Sequence, residues 1–179
     1  AYGLTGRKLY GCAAEMVLKY IEAELTDPQG GFYCGQDADS DGVEGKYYVF
    51  TPEEINEILG TKQGKAFCRN YGITGPGNFE GKSIPNLLGN EAYESICEER
   101  PGAEEEDGRS KSRREVDEVY EKLYAYRLKR TRLHKDDKIL VSWNGWMISA
   151  CAKAGAVLGE KKYVDMAVRA EEFIRTTLV

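Results

Sequence analysis

The sequence predicts a mainly α-helical protein in which antiparallel helix pairs carry one inserted β-hairpin. Two observations predict this fold class. Over four long segments, apolar residues recur at steps of three and four, which places them on one face of a helix. Between these segments lie two short aromatic-rich runs, separated by polar residues and glycines, a pattern typical of strands.

The first predicted elements are a helix and a β-hairpin, because the helical spacing of apolar residues ends where the aromatic-rich runs begin. A helix is predicted over residues 7–25, where an apolar stripe begins at Leu9, and Asp27-Pro28 followed by two glycines supplies its stop signal. The strands of the hairpin are predicted at residues 32–34 and 47–50, with an acid-rich stretch as the connecting loop.

The middle of the chain carries local signals for two short helices. Thr51-Pro52-Glu53-Glu54 is a capping box with proline at the first helical position, and the helix that it opens ends at Gly60. A second short helix is predicted over residues 62–70. Residues 71–88 are rich in glycine and proline and are predicted to form a loop or a short irregular strand.

The second half of the chain is predicted to contain three helices. Apolar periodicity places them at residues 116–128, 139–158 and 163–174, with a tight turn at Gly159 joining the last two. Before them, residues 101–114 run from an acidic block into a basic one with almost no apolar side chain. Such a stretch cannot repay its ordering entropy, and we predict a disordered linker there, with a docking site for a partner as the alternative.

The composition favours one folded domain over residues 1–179. The chain is 41% hydrophobic and 31% charged, with a net charge of −5, which supports a core and argues against wholesale disorder. The acidic balance gives no electrostatic footprint for nucleic acid. No apolar run approaches the roughly 20 residues of a membrane span. We therefore predict neither a nucleic-acid partner nor a membrane partner.

The histidine and cysteine content restricts the chemistry. His134 is the single histidine, so no multi-histidine metal site is encoded in this sequence. The five cysteines include no C-x-x-C pair, which excludes a zinc ribbon and a thioredoxin-type redox pair. Their odd number and wide scatter are typical of reduced thiols. We predict a cytoplasmic location, no metal and no cofactor.

The densest polar cluster is the segment from Asp37 to Lys46. Asp37, Asp39 and Asp41, followed by glycine, match the first half of an EF-hand loop, but the twelfth position, normally glutamate, is tyrosine. Three interpretations stay open: a turn built by side chain-to-backbone bonds, a looser cation site, and a carboxylate pair. In extended backbone, Asp37 and Asp39 would share a face about 7 Å apart, as two-carboxylate glycoside chemistry needs.

The second polar cluster runs from His134 to Trp146. Asp136 and Asp137 precede a predicted helix, where helix capping and ligand contact are both open interpretations. The two tryptophans share a helix face, so core packing competes with an apolar platform in a cavity. Asn144 precedes a glycine inside the helical pattern, an inconsistency typical of functional or close-packed sites. His134 is either a solvated residue at the helix entrance or a group that titrates near neutrality.

Several motifs, in one order along the chain, resemble those of a known family. They are Gly30-Gly31-Phe32-Tyr33, Asp37-Ala38-Asp39-Ser40, the run from Glu44 to Ile55, Gly77-Asn78-Phe79-Glu80-Gly81, the run from Asp136 to Leu140, and Ser142-Trp143-Asn144-Gly145. The sequence is similar to thioredoxin-domain-containing proteins related to the spermatogenesis-associated thioredoxin-like protein, found in bacteria and animals. The resemblance covers nearly the whole chain apart from residues 101–114.

The resemblance implies a fold and a longer parent protein. Family members carry an N-terminal thioredoxin-like domain, followed by an (α/α)6 toroid similar to six-hairpin glycosidases and N-acylglucosamine 2-epimerases. The sequence contains no thioredoxin segment and fewer long helices than a complete toroid. We therefore expect a middle slice of it, a partial (α/α)6 toroid (six-hairpin glycosidase-like) with an inserted β-hairpin. The exposed helix faces of such a slice favour a homodimer.

The resemblance also implies a class of substrate. The family has no established activity to transfer, but related toroids bind sugars where acidic and aromatic residues gather, so our hypothesis is a toroid that binds or processes a carbohydrate-like substrate. The epimerase-like relatives rely on histidines, and the single histidine argues against their chemistry. The candidate catalytic residues are Asp37, Asp39, Asp136 and Asp137. The candidate substrate-binding residues are Glu44, Lys46, Trp143, Asn144 and His134.

Two alternatives to this hypothesis stay open. One is a non-catalytic binding or scaffold module that serves the thioredoxin-like domain of the parent protein, since the sequence holds no complete catalytic set. The other is a structural domain whose acid-rich hairpin loop is stabilised by a cation.

Overall fold

A computed structural model describes residues 1–88 and 111–178 of the chain, with side chains from residue 118 onward in the second range. The chain forms two compact units. The terminal unit consists of Ala1–Gln36 together with Lys135–Val179, and the central unit consists of Asp37–His134. Both are mainly helical, as predicted. The assignment of residues 1–179 to one domain, a slice of an (α/α)6 toroid, stays a prediction.

The terminal unit consists of four helices and one short antiparallel strand pair. The helices are α1 (Tyr2–Thr5), α2 (Lys8–Glu24), α6 (Val141–Leu158) and α7 (Lys161–Phe173), and α7 continues into a π-helical turn at Ile174–Leu178. The strand β1 (Gly35–Gln36) pairs with β4 (Lys135–Asp136), and Gly35 lies opposite Asp136. The predicted first helix and the predicted helical hairpin at Gly159 are therefore confirmed.

The hairpin of α6 and α7 supplies most of the core of the terminal unit. The core residues are Leu18, Phe32, Cys151, Tyr163, Met166, Ala167 and Ala170. The connection turns at Gly159, which has a φ of 73°, a left-handed conformation that favours glycine. At Gly155, an added Cβ would lie only 2.5 Å from a methyl group of Val164, so this glycine permits the close approach of the two helices.

In the central unit, the described residues form three helices and one hairpin around a second core. The helices are α3 (Pro52–Leu59), α4 (Thr61–Asn70) and α5 (Lys111–Arg130), and the strands β2 (Asp39–Ser40) and β3 (Val43–Glu44) pair antiparallel. The core residues are Phe50, Ile55, Leu59, Cys68, Ile73 and Leu123. The capping box of α3 forms as predicted, because the Thr51 hydroxyl accepts from the Glu54 amide and the Glu54 carboxylate accepts from the Thr51 amide.

The predicted strands at residues 32–34 and 47–50 are wrong. Phe32 is 5% exposed in the core of the terminal unit, whereas Phe50 is 2% exposed in the core of the central unit. Each aromatic ring is thus buried against helices rather than against the other run. The hairpin forms instead inside the acid-rich segment, where Asp41 and Gly42 have φ values of 53° and 74°. A two-residue turn with both φ angles positive matches the twist of a hairpin.

Two further predictions concern the linker and the membrane. Residues 101–110 of the predicted linker lie outside the described residues, and residues 111–114 form the first turn of α5. Among the helices that the structure describes, none is long and apolar enough to cross a bilayer.

Candidate functional site

The sequence-predicted site residues fall into two sets, one in each compact unit. The central unit contains Asp37, Asp39, Glu44, Lys46 and His134. The terminal unit contains Asp136, Asp137, Trp143 and Asn144. That both sets contact one carbohydrate-like substrate stays a prediction.

In the central unit, Asp41 is the centre of the acid-rich hairpin. Its Oδ2 atom lies 2.6 Å from the Lys46 ammonium and accepts a hydrogen bond of 3.0 Å from the Thr131 hydroxyl. These two hydrogen bonds, first the one from Lys46, hold the pKa of the Asp41 carboxyl below its ordinary value. Lys46 therefore supplies positive charge at the point where acidic side chains crowd.

Asp37 and Asp39 are exposed, but they do not form the extended pair that their spacing suggests. Asp37 lies before β2, and its Oδ1 atom accepts from the Asp39 backbone amide at 3.3 Å. Asp39 lies within β2, with Glu44 as its partner across the ladder. Among the residues whose side chains the structure describes, no group of three or more histidine, cysteine, aspartate or glutamate side chains is arranged to hold a metal ion.

His134 is exposed at the end of the central unit. Its backbone carbonyl accepts a hydrogen bond of 2.8 Å from the Asp37 amide, so the two segments that carry these candidates are joined through the main chain. The candidate roles of both residues toward a substrate stay predictions.

In the terminal unit, the two tryptophans lie on the surface. Trp143 is 55% exposed and Trp146 is 81% exposed, so the core-packing interpretation is wrong. The buried side of α6 consists instead of Asn144, Cys151 and Gly155. Because α6 is apolar nearly all round, its periodicity alone does not reveal which face it buries.

Asn144 is 1% exposed, and its side chain is bonded to the main chain. Its Oδ1 atom accepts from the Phe32 amide at 2.7 Å, and its Nδ2 group donates to the carbonyls of Phe32 at 2.9 Å and Leu140 at 3.0 Å. The side-chain amide therefore acts as a strand partner for Phe32. The Asn-Gly pair inside the helical pattern indicates either a functional site or a close-packed one. The structure shows that Asn144 is close-packed, and its contact with a substrate stays a prediction.

Asp136 and Asp137 do not cap α6, because the residue at its N-cap is Leu140. Asp136 belongs to β4, and its Oδ2 atom lies 3.1 Å from the Lys138 ammonium. The hydrogen bond to Asp136 raises the pKa of Lys138. Asp137 is exposed. Both carboxylates are thus free of a capping role and lie close in sequence to the exposed indole of Trp143.

A pair of polar side chains that no sequence motif indicates, Tyr33 and Asp27, lies near Asp137. The Tyr33 hydroxyl donates to Asp27 at 2.6 Å, and the Lys135 ammonium lies 5.1 Å from the centre of the Tyr33 ring. The hydrogen bond to Asp27 is the largest cause that raises the pKa of Tyr33 to about 12, and the charge of Asp137 adds to it. Asp27 reads in the sequence only as part of a helix stop signal, so no local pattern pointed to this pair.

Comparisons with known proteins agree with the sequence motifs. No family model matches the chain. Over 98% of its length, the chain is 30% identical to human spermatogenesis-associated protein 20 and 31% identical to the mouse protein of that name. Over 88% of its length, it is 29% identical to an uncharacterized protein of Caenorhabditis elegans.

The chain spans about a quarter of these relatives, since it covers 25% of the human protein and 24% of the mouse protein. The homology runs through both compact units, because nearly the whole chain is matched. The chain is therefore similar throughout to one quarter of spermatogenesis-associated protein 20, in agreement with the family that its motifs resemble.

Proposed function

We propose that the chain is the part of a helical toroid that binds, and through its carboxylates processes, a carbohydrate-like substrate. The observation that carries the proposal is the pair of exposed indoles, Trp143 and Trp146, in the same unit as Asp136 and Asp137. Binding sites combine apolar and aromatic walls with a few polar groups that fix orientation. A sugar ring has an apolar face for an indole and hydroxyl groups for carboxylates.

The exposure of the indoles supports a binding role because it leaves hydrophobic stabilisation unused. Tryptophan side chains bury about 150–250 Å² when they are covered. At about 25 cal/mol per Å², two largely exposed indoles leave on the order of several kcal/mol unused. A ligand or partner that covers Trp143 and Trp146 recovers this free energy.

The four candidate carboxylates divide between the units. Asp136 and Asp137 belong to the terminal unit with the indoles, and Asp37 and Asp39 belong to the central unit. Glycoside hydrolysis requires two carboxyl groups about 5–9.5 Å apart that flank the scissile bond. Asn144 is the least suited of the proposed substrate contacts, because its amide bonds the Phe32 backbone.

Both tryptophans of the chain belong to the proposed platform, so intrinsic fluorescence reports on it directly. We expect oligosaccharides to shift the tryptophan emission of this chain, and Trp146→Ala to weaken binding at least tenfold. Val157→Ser is the matched control, because Val157 is 49% exposed on the same helix. Binding that is unchanged in both Trp146→Ala and Trp143→Ala would contradict the proposal.

The second candidate function is a non-catalytic scaffold that serves the thioredoxin-like domain of a parent protein. Exposed apolar side chains on other helices of the terminal unit favour it, since Val17 of α2 is 60% exposed and Val168 of α7 is 56% exposed. Glycan turnover by the full-length protein that is lost in Asp137→Ala would exclude the scaffold. Glycan binding without any turnover would favour it.

A further inference from the structure

The central unit contains a cavity of about 620 Å³ formed by α4, α5 and residues 85–87. This volume lies within the range of about 300–1,000 Å³ that is typical of small-molecule sites. Phe67, Tyr71, Leu123 and Arg127 are among the residues that line it. None of them belongs to the carbohydrate site proposed above, so the inference does not depend on that function.

One wall of the cavity is built from packed aromatic rings. The rings of Phe67 and Tyr71 stack with their centres 4.3 Å apart and their planes at 23°. The Tyr120 ring meets the edge of Tyr71 at 6.2 Å, and the two hydroxyl groups are hydrogen bonded. The stack with Phe67 and the hydrogen bond to Tyr120 hold the Tyr71 ring in place, so this wall of the cavity is a preformed aromatic surface.

Arg127 is the single cation among the described residues that line this cavity. Its guanidinium lies 4.3 Å from the centre of the Tyr47 ring, and its Nε atom is buried without a hydrogen-bond partner in the described part of the chain. The neighbouring Arg130 takes the nearby carboxylate of Glu54, at 3.6 Å. Among the residues whose side chains the structure describes, no carboxylate pairs with Arg127, so its positive charge lies beside an apolar wall.

The lining carboxylate, Glu121, does not compensate this charge. It is exposed, and it precedes Arg127 by six residues on α5, which separates the two residues by about 9 Å along the helix axis. The cavity is thus polarised along α5, with its positive end at Arg127.

We propose that this cavity binds an aromatic carboxylate, with the ring of the ligand against Phe67 and Tyr71 and its carboxylate on Arg127. The aromatic wall selects a flat ring because offset stacking adds to area burial. The planar guanidinium selects a carboxylate because its donors match the two oxygens, and such charge-assisted hydrogen bonds are stronger than neutral ones.

The test compares 2-naphthoate with uncharged 2-naphthamide in calorimetric titrations of the full chain. We expect naphthoate to bind at least tenfold more tightly than naphthamide, and Arg127→Gln to remove that difference, since a charged hydrogen bond accounts for a factor of this size. Arg132→Gln, at an exposed arginine outside the cavity, is the matched control and leaves both affinities unchanged. Equal affinities for the two compounds in the unaltered chain would overturn the proposal.

A second variant separates loss of the site from loss of the fold. Arg127 packs on Tyr47, so thermal unfolding of Arg127→Gln is measured alongside binding. Leu87→Trp places a large side chain into the cavity from residues 85–87 and leaves the arginine intact. We expect Leu87→Trp to weaken the binding of both compounds at least tenfold. If Leu87→Trp binds naphthoate as tightly as the unaltered chain, the ligand lies elsewhere and the proposal is wrong.

Discussion

At the scale of single residues, Asp41 shows how a surface loop tolerates a cluster of acids. The turn requires a positive φ at this position, which aspartate adopts more readily than most residues. The same residue accepts from Lys46 and Thr131, so the hairpin carries its own counter-charge. The turn interpretation of this segment is therefore correct, and it includes an ion pair that spacing alone leaves undefined.

The lowered pKa of Asp41 predicts a pH dependence of stability. A carboxyl group whose pKa is lowered by folding stabilises the folded state above its unfolded pKa, near 4, and loses that contribution as the pH falls through the folded pKa. We expect Asp41→Asn to lower the thermal midpoint at pH 7, and the difference from the unaltered chain to vanish at strongly acidic pH.

Thermal unfolding monitored by circular dichroism over this pH range checks the prediction. Asp39→Asn is the matched control, because it removes an exposed carboxylate from the same hairpin without breaking the ion pair with Lys46. A difference for Asp41→Asn that is equally large at acidic and neutral pH would show that the backbone conformation of the turn, and not the charge, is responsible.

At the scale of elements, one side of α6 is buried and the other side is exposed. Asn144, Cys151 and Gly155 face the core, while Trp143 and Trp146 face outward. The carboxamide of Asn144 bonds both main-chain groups of Phe32, a residue 112 positions away in the chain. This pair of bonds holds one edge of the Phe32 segment on α6, while Phe32 forms an antiparallel bridge with Thr26.

Replacing Asn144 tests this element-level role. Asn144→Leu has a similar volume, but it leaves the buried amide and carbonyl of Phe32 without partners. Each unsatisfied group costs about 1–3 kcal/mol, so we expect the free energy of unfolding to fall by about 2 kcal/mol or more. Chemical denaturation measures it, with Ser149→Ala on the exposed side of α6 as a control that changes stability by about 0.5 kcal/mol or less. An unchanged midpoint for Asn144→Leu would contradict the role of Asn144.

Elements whose signals are local could be predicted from the sequence. The capping box at Thr51 and the glycine at position 159 satisfy or terminate helix ends with residues next to them, so their sequence patterns determine their structure. Burial is different, because the cores that bury Phe32 and Phe50 include residues far along the chain, from α6 and α7 for Phe32 and from α5 for Phe50. The Asp-Gly pair at positions 41 and 42 was the local signal for the true hairpin, and the aromatic runs outweighed it.

The same distinction between local signals and long-range packing explains why the environment of each candidate site residue could not be predicted. Trp143 and Asn144 are adjacent in the sequence, yet one is exposed and the other is buried. Which of them faces the core depends on the packing of α6 against α7 and on the backbone of Phe32, neither of which is encoded within the segment. The cavity that Arg127 lines was also not predicted, because its aromatic residues come from three separate stretches of chain.

At the scale of the whole molecule, the terminal unit exposes more apolar surface than its own fold requires. Val164 and Val168 of α7 are 39% and 56% exposed, and their spacing of four residues places them on one face of that helix. The chain covers 25% of its human relative. We propose that other parts of a full-length protein cover this face of α7, and that in the isolated chain a second copy does so.

The isolated chain is therefore expected to form a homodimer through α7. Covering Val164 and Val168 removes apolar side chains from water, and a glutamate at the centre of that contact would bury an unpaired charge. We expect Val168→Glu to raise the dimer dissociation constant at least tenfold in sedimentation equilibrium. Ser149→Glu adds the same charge at an exposed position of α6 and is expected to leave the dimer intact. A chain that stays monomeric, or a dimer that Val168→Glu leaves unchanged, would show that this face of α7 is not the contact, and the exposed indoles of α6 would then be the surface to test.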